Sequence, residues 1–237
     1  MLIEGRNAIR EALKSNLTIE KVMVERNAHA SLGKVLADCK ARGLKVVNVE
    51  KQVLDKLSES RNHQGIIAVA TDYAYAEVDD ILNANPGEDK LIIILDGISD
   101  PHNLGAIVRI ADSVNANGII ISKHRSCGVT DTVMRVSSGA AAYVKIAKTG
   151  SINEMIRQFK EQNIWVYCAD MDGKSVYDTD LKGNIAIVIG SEGEGVSPLT
   201  KKLCDGIVSL PQKGKINSLN ASVAAGAVLY EALRQRR

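Results

Sequence analysis

Residues 90–112, KLIIILDGISDPHNLGAIVRIAD, combine the patterns of a buried strand, a polar loop and the start of a helix. The apolar residues 91–95 do not alternate with polar ones, which is typical of a strand covered on both faces in a parallel sheet. Residues 96–103 predict a loop, because Pro101 disfavours helix at the preceding residue and Asn103 is a favourable N-cap for the apolar periodicity that follows. The stretch therefore predicts an α/β fold.

The loop after this strand is also the first predicted ligand site. Open α/β sheets bind their ligands outside the carboxyl ends of the strands, at the loops that lead into helices. Arg109 lies in the second turn of the predicted helix, close to that loop. The stretch therefore predicts a ligand site at this loop.

Composition indicates a folded protein without a membrane span. The chain has 237 residues, of which 45% are hydrophobic, enough for two α/β domains. No apolar run approaches the roughly 18 residues of a membrane helix, and the amphipathic start MLIEGRNAIREAL does not resemble a signal peptide, so a cytoplasmic location is expected. The cysteines are widely spaced and form no CxxC pair, which predicts reduced thiols and neither a zinc site nor a disulfide framework: Cys39, Cys127, Cys168 and Cys204.

Charge divides the chain into three parts. Residues 1–72 carry 12 basic and 9 acidic side chains, residues 73–89 carry no basic and 5 acidic ones, and residues 90–237 carry 18 and 14. The acidic stretch YAYAEVDDILNANPGED includes a Pro-Gly turn signal, so we predict a flexible linker at 73–89 between two domains. The mild basicity of the two blocks permits a nucleic-acid partner without requiring one.

The first block predicts a small α/β unit that serves recognition, since it contains no catalytic set of residues. Its predicted helices and strands alternate: helix 7–13, strand 19–24, helix 32–39 ended by Gly43, strand 46–49, helix 53–57 and strand 66–70. Seven cations are a candidate phosphate-facing surface as a group, although each alone is more simply a solvated side chain: Lys34, Lys40, Arg42, Lys45, Lys51, Lys56 and Arg61.

The second block continues the alternation and contains a glycine-rich loop after one of its apolar strands. Its predicted elements are strand 118–121, helix 131–137, strand 143–146, helix 152–162, strand 164–168, strand 185–189, strand 206–210 and a helix from about 219 to 233. The loop GSEGEGVSP, residues 190–198, has glycines spaced for tight turns and close approach to a ligand, yet it matches neither the dinucleotide nor the nucleoside-triphosphate fingerprint. Asp170 and Asp172 are interpreted as loop residues rather than a metal site.

Three stretches, in order and spacing, resemble the motifs of one family: DPHNLGAIVRIAD (100–112), IVIGSEGEGVS (187–197) and LPQKGKINSLNASVAAG (210–226). They are similar to the three motifs of the SpoU, or TrmH, branch of the SPOUT methyltransferases. RNHQGIIA (61–68) resembles the end of that family's ribosomal-protein-like substrate-binding domain. By its two-domain layout the chain most resembles the ribosomal RNA guanosine 2′-O-methyltransferases of the RlmB type.

The resemblance implies an architecture that the periodicity alone does not predict. It implies an RNA substrate-binding domain at 1–72 and, at 90–237, a SPOUT domain whose parallel sheet contains a deep trefoil knot. Knots run against the general behaviour of protein chains, so this expectation rests on the resemblance alone. The resemblance further implies a homodimer, an RNA partner that is most simply ribosomal RNA, and S-adenosylmethionine held by backbone groups at Gly190, Leu210 and Leu219.

The resemblance also implies the catalytic residues. It places Arg109 as the residue that activates the ribose 2′-hydroxyl, together with Asn103, Glu192, Ser218 and Asn220, and it requires no metal. Arginine is a poor base at neutral pH, because the reference pKa of its guanidinium lies far above neutrality. We therefore predict that Arg109 binds phosphate and stabilises the developing alkoxide. The group that takes the hydroxyl proton is left open.

Two departures from the family pattern and two alternatives remain at this point. Ala221 stands where valine is common, and Ala142 stands near a position where the family often has an acid. If that acid holds RNA or orients Arg109, Glu192 or Glu194 has to do so here, and Glu192 is preferred. Ser218 and Asn220 also suit a plain N-cap of the last helix. The alternatives to ribosomal RNA methylation are methylation of tRNA and a non-catalytic RNA-binding protein for ribosome assembly.

Overall fold

The structure, a computed structural model, describes residues 1–14, 18–26, 28–58, 61–71, 73–215 and 218–237. These residues form two units, of which the first contains Met1–Ala74 and Val129–Asp131 and the second contains Tyr75–Gly128 and Thr132–Arg237. Within the described residues, no helix has both the length and the apolar character needed to cross a bilayer.

The first unit is a four-stranded mixed sheet with helices on both faces. Its elements are β1 (Leu2–Glu4), α1 (Arg6–Lys14), β2 (Thr18–Glu25), α2 (His29–Ala41), β3 (Val46–Val49), α3 (Lys51–Leu57) and β4 (Ile66–Thr71). The strand order is β1-β4-β2-β3, and only the β2/β3 pair is parallel. All predicted elements of this block are confirmed, and β1 is an addition that periodicity did not predict.

Alternation along β2 explains why the helices divide between the two faces. Val22 and Val24 point into the core formed with α1 and α2, whereas Met23, between them, packs with Leu54 of α3 on the other side. Side chains of successive strand residues point to opposite faces, so a single strand supplies both cores. The consequence is that α3 lies on the opposite face of the sheet from α1 and α2.

Gly33 in α2 offers a test of this helix. A β-carbon at Gly33 would meet no atom within 4 Å, and glycine inside a helix is less favourable than alanine by about 0.5–1 kcal/mol. Gly33→Ala is therefore expected to raise the thermal midpoint of the first unit in calorimetry. Gly43, which ends α2 with φ +64°, is the matched control: Gly43→Ala is expected to lower the midpoint. Equal shifts for both variants would contradict this interpretation.

The second unit is built on a six-stranded, fully parallel sheet with the order β10-β8-β9-β5-β6-β7. Its strands are β5 (Leu91–Asp96), β6 (Gly118–Ser122), β7 (Ile146–Thr149), β8 (Trp165–Ser175), β9 (Ile185–Gly190) and β10 (Gly206–Ser209). Every residue of the neighbouring strands β5 and β9 is buried, which confirms the prediction that these apolar runs are covered on both faces. The α/β fold class is confirmed.

The helices of the second unit cover this sheet. They are α4 (Val78–Leu82), α5 (Pro101–Ser113), α6 (Asp131–Val136), α7 (Ile152–Glu161), α8 (Pro198–Leu203) and α9 (Ala221–Gln235). Short α8 was not predicted, and α4 lies in the stretch predicted to be a flexible linker. Ile81 and Leu82 of α4 are buried in the core of the second unit, and Ala76 forms a parallel bridge with Ala147. From Tyr75 onward, the acidic stretch is thus part of the second unit.

The start of α5 differs from the prediction. The helix begins at Pro101, and Asp100 is the N-cap, with its side chain accepting a hydrogen bond of 2.8 Å from the backbone nitrogen of His102. The predicted N-cap, Asn103, was wrong, because proline is well suited to the first helical position and restricts only the residue before it. Asn103 instead lies inside the first turn of α5, where its side chain is free for other contacts.

Two further boundaries were predicted wrongly. The strand predicted at 143–146 is β7 at Ile146–Thr149, and Ala140–Ala142 before it form a turn of 3₁₀-helix. β8 continues to Ser175, so Asp170 and Asp172 lie in a strand and not in a loop. A short apolar run predicts that a strand is present more reliably than it predicts where the strand begins and ends.

Candidate functional site

The candidate site lies where the order of the parallel sheet changes direction. The chain builds outward from β5 to β6 and β7, then returns to place β9 on the other side of β5. The last residues of these two central strands, Asp96 and Gly190, are direct partners across the sheet. Such a switch point opens a crevice at the carboxyl ends of the strands, the usual ligand position in this fold class.

A tight loop follows β9 at this crevice. The backbone nitrogen of Ser191 donates to the oxygen of Gly195 at 3.2 Å, and the nitrogen of Gly195 donates back to the oxygen of Ser191 at 3.0 Å. A β-carbon at Gly190 would lie 2.1 Å from the carbonyl carbon of Gly195, so only glycine permits this fold-back. The loop therefore presents exposed Glu192 directly after the strand.

Three predicted site residues from distant parts of the chain meet in one cluster. The amide nitrogen of Asn103 donates to Oε1 of Glu192 at 3.0 Å, and the amide nitrogen of Asn220 donates to the oxygen of Asn103 at 2.9 Å. Asn220 also donates to the same Oε1 of Glu192. Two amide groups thus hold one carboxylate oxygen, which fixes the orientation of the Glu192 side chain.

Asn220 has a second task, which the sequence predicted. It is the N-cap of α9, where its side-chain oxygen accepts from the backbone nitrogens of Ser222 at 3.0 Å and Val223 at 3.3 Å. The side-chain oxygen of Asn220 caps α9, and its side-chain nitrogen donates to Asn103 and Glu192. Capping therefore gives Asn220 a defined orientation toward Asn103 and Glu192.

Arg109 stands apart from this cluster. Six residues separate Arg109 from Asn103 on α5, which is about 9 Å along the helix and about 120° around it, so the two side chains leave different faces. Arg109 is exposed and its guanidinium donates to Oγ of Ser138 at 3.3 Å. Ser138 follows α6 and has φ 54°, which places it in a tight turn. Arg109 therefore makes no described hydrogen bond to Asn103, Glu192 or Asn220.

The remaining predicted residues lie at the ends of β9 and β10 and before α9. Gly190 is the last residue of β9, and half-buried Leu210 directly follows β10. Leu219 and Ser218 are exposed immediately before the N-cap of α9, and Leu219 keeps 43% of its surface accessible. The neighbouring residues Ile216 and Asn217 lie outside the described residues.

The structure adds a buried carboxylate that the sequence analysis treated only as the start of a loop. Asp96, 3% exposed, accepts hydrogen bonds from Arg125 at 3.1 Å, from the backbone nitrogen of Ser197 at 3.2 Å and from the hydroxyl of Thr200 at 3.2 Å. Thr200 also donates to Asn153 at 2.9 Å. A polar residue at the end of an otherwise apolar strand was the available signal. Asp96 fastens the end of the glycine-rich loop to β5.

Asp96→Asn is expected to destabilise the second unit by about 1–3 kcal/mol, because one of these buried donors would lose its acceptor. The exposed partner, Arg125, contributes little of this value, since water screens it. Calorimetric unfolding measures the change. Asp172→Asn, at an exposed position of β8, is the matched control and is expected to unfold like the wild type. Equal midpoints for the two variants would contradict this role of Asp96.

Asp170 and the four cysteines lie outside the cluster of Asn103, Glu192 and Asn220. Asp170 forms an ion pair with Lys201, and the described residues contain no group of three or more His, Cys, Asp or Glu placed to hold a metal. All four cysteines are free thiols. A hydrogen bond between Cys168 and Cys204 lowers the pKa of Cys168 and raises that of Cys204, and burial raises the pKa of Cys39.

Comparison with known proteins gives a family match to each part of the chain. Residues 90–230 match the SpoU rRNA Methylase family. Residues 2–76 match the family described as RNA 2′-O ribose methyltransferase substrate binding. The substrate-binding match thus lies in the first part of the chain and the methylase match in the rest.

Individual relatives extend over the whole chain. The TrmH family protein YacO of Bacillus subtilis (strain 168), named for both tRNA and rRNA, is 39% identical over 98% of this chain and 94% of its own length. The crystal structure of the SpoU methyltransferase AviRb from Streptomyces viridochromogenes with AdoMet is 27% identical, with a TM-score of 0.63 over 100% of this chain and 90% of that one.

A third relative matches only part of the chain. The TrmH/SpoU tRNA modifying enzyme of A. aeolicus is 28% identical, with a TM-score of 0.59, and covers 66% of this chain and 79% of that one. The family matches cover both units of the protein, and the AviRb structure contains the cofactor that the resemblance implied. The chain therefore belongs to the SpoU, or TrmH, family, and it is an S-adenosylmethionine-dependent RNA methyltransferase.

Proposed function

We propose that this protein methylates the ribose 2′-oxygen of a guanosine in large-subunit ribosomal RNA. The observation that carries the proposal is the first unit, residues 2–76, whose family match is to substrate binding by RNA 2′-O ribose methyltransferases. The tRNA modifying enzyme of A. aeolicus covers 66% of this chain, whereas AviRb covers all of it. A separate substrate-binding unit favours a large RNA target over the smaller tRNA.

The crevice residues fit S-adenosylmethionine. The loop after Gly190 brings backbone groups close to the carboxyl ends of β5 and β9, and Leu210 and Leu219 offer apolar surface suited to a purine base. Glu192 supplies a negative charge that complements a sulfonium. When bound, S-adenosylmethionine provides an electrophilic methyl group on a positively charged sulfur. The binding roles of Gly190, Leu210 and Leu219 are part of the proposal.

The side chains of this protein have to position the ribose 2′-hydroxyl and stabilise the negative charge that develops on its oxygen. We assign Asn103, Glu192 and Asn220 to orient the reacting ribose, because their mutual hydrogen bonds hold the carboxylate in one place. Such positioning accounts for a large part of the rate of a methyl transfer. The Glu192 carboxylate is our candidate acceptor for the hydroxyl proton, and Ser218, two residues before Asn220, is assigned to the same site.

Arg109 is assigned to the RNA backbone. Its guanidinium is exposed and donates only one described hydrogen bond, to Ser138, so the remaining donors suit a phosphate and the oxygen on which negative charge develops. Arginine does this without losing its proton, which agrees with its high reference pKa. In this arrangement Arg109 binds the substrate from one face of α5 while Asn103 orients it from another.

Three further properties belong to the proposal by family resemblance. We propose a trefoil knot in the second unit, a homodimer and a cytoplasmic site of action, where RNA substrates are available. For the dimer, exposed apolar side chains on α9 provide a candidate surface: Val223 is 56% and Tyr230 52% accessible. Patches of exposed apolar side chains commonly mark interaction surfaces.

Methyl transfer from labelled S-adenosylmethionine to unmodified large-subunit ribosomal RNA and to bulk tRNA, followed by nucleoside analysis, tests the proposal. The expected result is 2′-O-methylguanosine in the ribosomal RNA only. Label only in tRNA would overturn the substrate while keeping the chemistry. Label in neither RNA, with intact cofactor binding, would favour the non-catalytic alternative, against which the assembled Asn103, Glu192 and Asn220 cluster argues.

A further inference from the structure

A basic trough runs between α1 and α2 of the first unit. Two adjoining cavities, of about 580 and 210 Å³, share the lining residues Asn7, Arg10 and Lys34 and so form one continuous depression. Among the charged lining residues whose side chains the structure describes, five are basic and one is acidic: Arg6, Arg10, Lys14, Lys34 and Arg42 against Asp38. The trough is therefore strongly positive, although the first block as a whole is only mildly basic.

The positive charges are arranged in two rows by helix geometry. Arg6, Arg10 and Lys14 lie four residues apart on α1, and Lys34 and Arg42 lie eight residues apart on α2 and its C-cap. Residues separated by four lie on the same side of a helix, with a rise of about 6 Å between them. Each helix thus lines one side of the trough with a row of cations.

The rows are held in place by the core beneath them. Ile9 and Leu13 of α1 and Leu32 and Val35 of α2 are buried in one apolar cluster, so the two helices pack as a fixed pair. Arg6 is further positioned by donating from its backbone and side-chain nitrogens to the oxygen of Gln64, each at 3.3 Å. A preorganised pair of cationic rows suits a linear polyanion.

We propose that this trough, lined by α1 and α2, binds the phosphodiester backbone of the RNA substrate. The inference rests on the proposed function, since it assigns the RNA to one face of the substrate-binding unit. Arginine and lysine rows neutralise successive phosphates, and the guanidinium groups donate in pairs to phosphate oxygens. The structure separates the seven cations of the predicted phosphate-facing group: Lys34 and Arg42 line the trough, whereas Lys51 and Lys56 lie on α3, across the sheet.

This separation supplies a matched pair of variants for the full-length protein. The trough variant combines Lys34→Glu with Arg42→Glu. The α3 variant combines Lys51→Glu with Lys56→Glu and changes the net charge of the protein by the same amount, also at exposed positions. Binding of a fluorescent transcript of unmodified large-subunit ribosomal RNA is measured by anisotropy over a range of salt concentrations. Calorimetry verifies folding, and Lys34→Ala with Arg42→Ala serves as a milder variant.

The trough variant is expected to bind RNA at least about tenfold more weakly, with the slope of log K against log salt reduced by about 2 for two lost phosphate contacts. Its KM for RNA should rise while kcat at saturating RNA and the Kd for S-adenosylmethionine stay unchanged. The α3 variant should bind like the wild type.

Other outcomes overturn the inference in distinguishable ways. Equal weakening in both variants would mean that net charge, not the trough, governs binding. Wild-type affinity of the trough variants, in a protein that still methylates the RNA, would place the RNA elsewhere and leave the proposed function standing. Failure of the wild type itself to bind or methylate either RNA would remove the proposed function and this inference together.

Discussion

Replacement of Arg109 by alanine is expected to lower kcat for methyl transfer by about 10²- to 10³-fold, the usual cost of removing a donor that stabilises developing negative charge. The exposed guanidinium contacts Ser138 and no member of the Asn103 cluster, so the variant should fold and bind S-adenosylmethionine normally. Single-turnover kinetics with saturating RNA measure the effect. Arg109→Lys should recover part of the rate, because it keeps the charge and loses the paired donors.

Arg157→Ala is the matched control for this experiment. Arg157 is an exposed arginine on α7 that pairs with Glu154 at 3.1 Å, so its removal also deletes one surface cation but leaves the crevice intact. Unchanged kcat is expected. A normal kcat for Arg109→Ala, or equal losses for Arg109→Ala and Arg157→Ala, would show that Arg109 does not act on the reacting oxygen.

Replacement of Gly190 by alanine is expected to abolish the folded form of the loop that follows β9. The added carbon would lie 2.1 Å from the carbonyl carbon of Gly195 and 2.3 Å from the nitrogen of Val196, and backbone atoms at these distances have to move. Overpacking of this kind costs about 1–3 kcal/mol or more. If loop displacement relieves that strain, the affinity for S-adenosylmethionine should fall about 10- to 100-fold.

Titration calorimetry with S-adenosylmethionine measures this loss. Gly150→Ala is the control, because a β-carbon there would meet no atom within 4 Å and the residue follows β7 away from the loop. Its cofactor affinity and thermal midpoint should equal those of the wild type. Wild-type cofactor affinity in Gly190→Ala would contradict the role of the fold-back in holding the cofactor.

Local patterns predicted the elements of the central sheet well and their ends poorly. The apolar runs of β5 and β9 have no polar interruptions, so their burial followed directly from the sequence. The end of β7 and the length of β8 depend on pairing with neighbouring strands, which a single stretch of sequence does not contain. The N-cap of α5 was misplaced because both Asp100 and Asn103 are favourable caps and only one can begin the helix.

At the candidate site, too, local motifs predicted individual residues but not the long-range contacts between them. Asn103, Glu192 and Asn220 were named from three separate motifs, but nothing local indicates that one carboxylate oxygen joins all three. The assembly of Asp96 with Ser197 and Thr200 was missed because its partners lie about a hundred residues away, at separations of 101 and 104. The knot and the dimer stay predictions.

The proposed role of Asn220 in catalysis, together with its observed capping of α9, would couple the methyl transfer to the folding of the protein. Its contact with Asn103 spans 117 residues of chain, and it exists only while α9 is docked and capped. Long-range contacts of this kind form late and are lost early when a protein opens in parts, since loop closure opposes them until the rest of the core is in place. A partly folded chain with an intact central sheet but an undocked α9 would therefore be inactive. Methyl-transfer activity would then report on the complete fold.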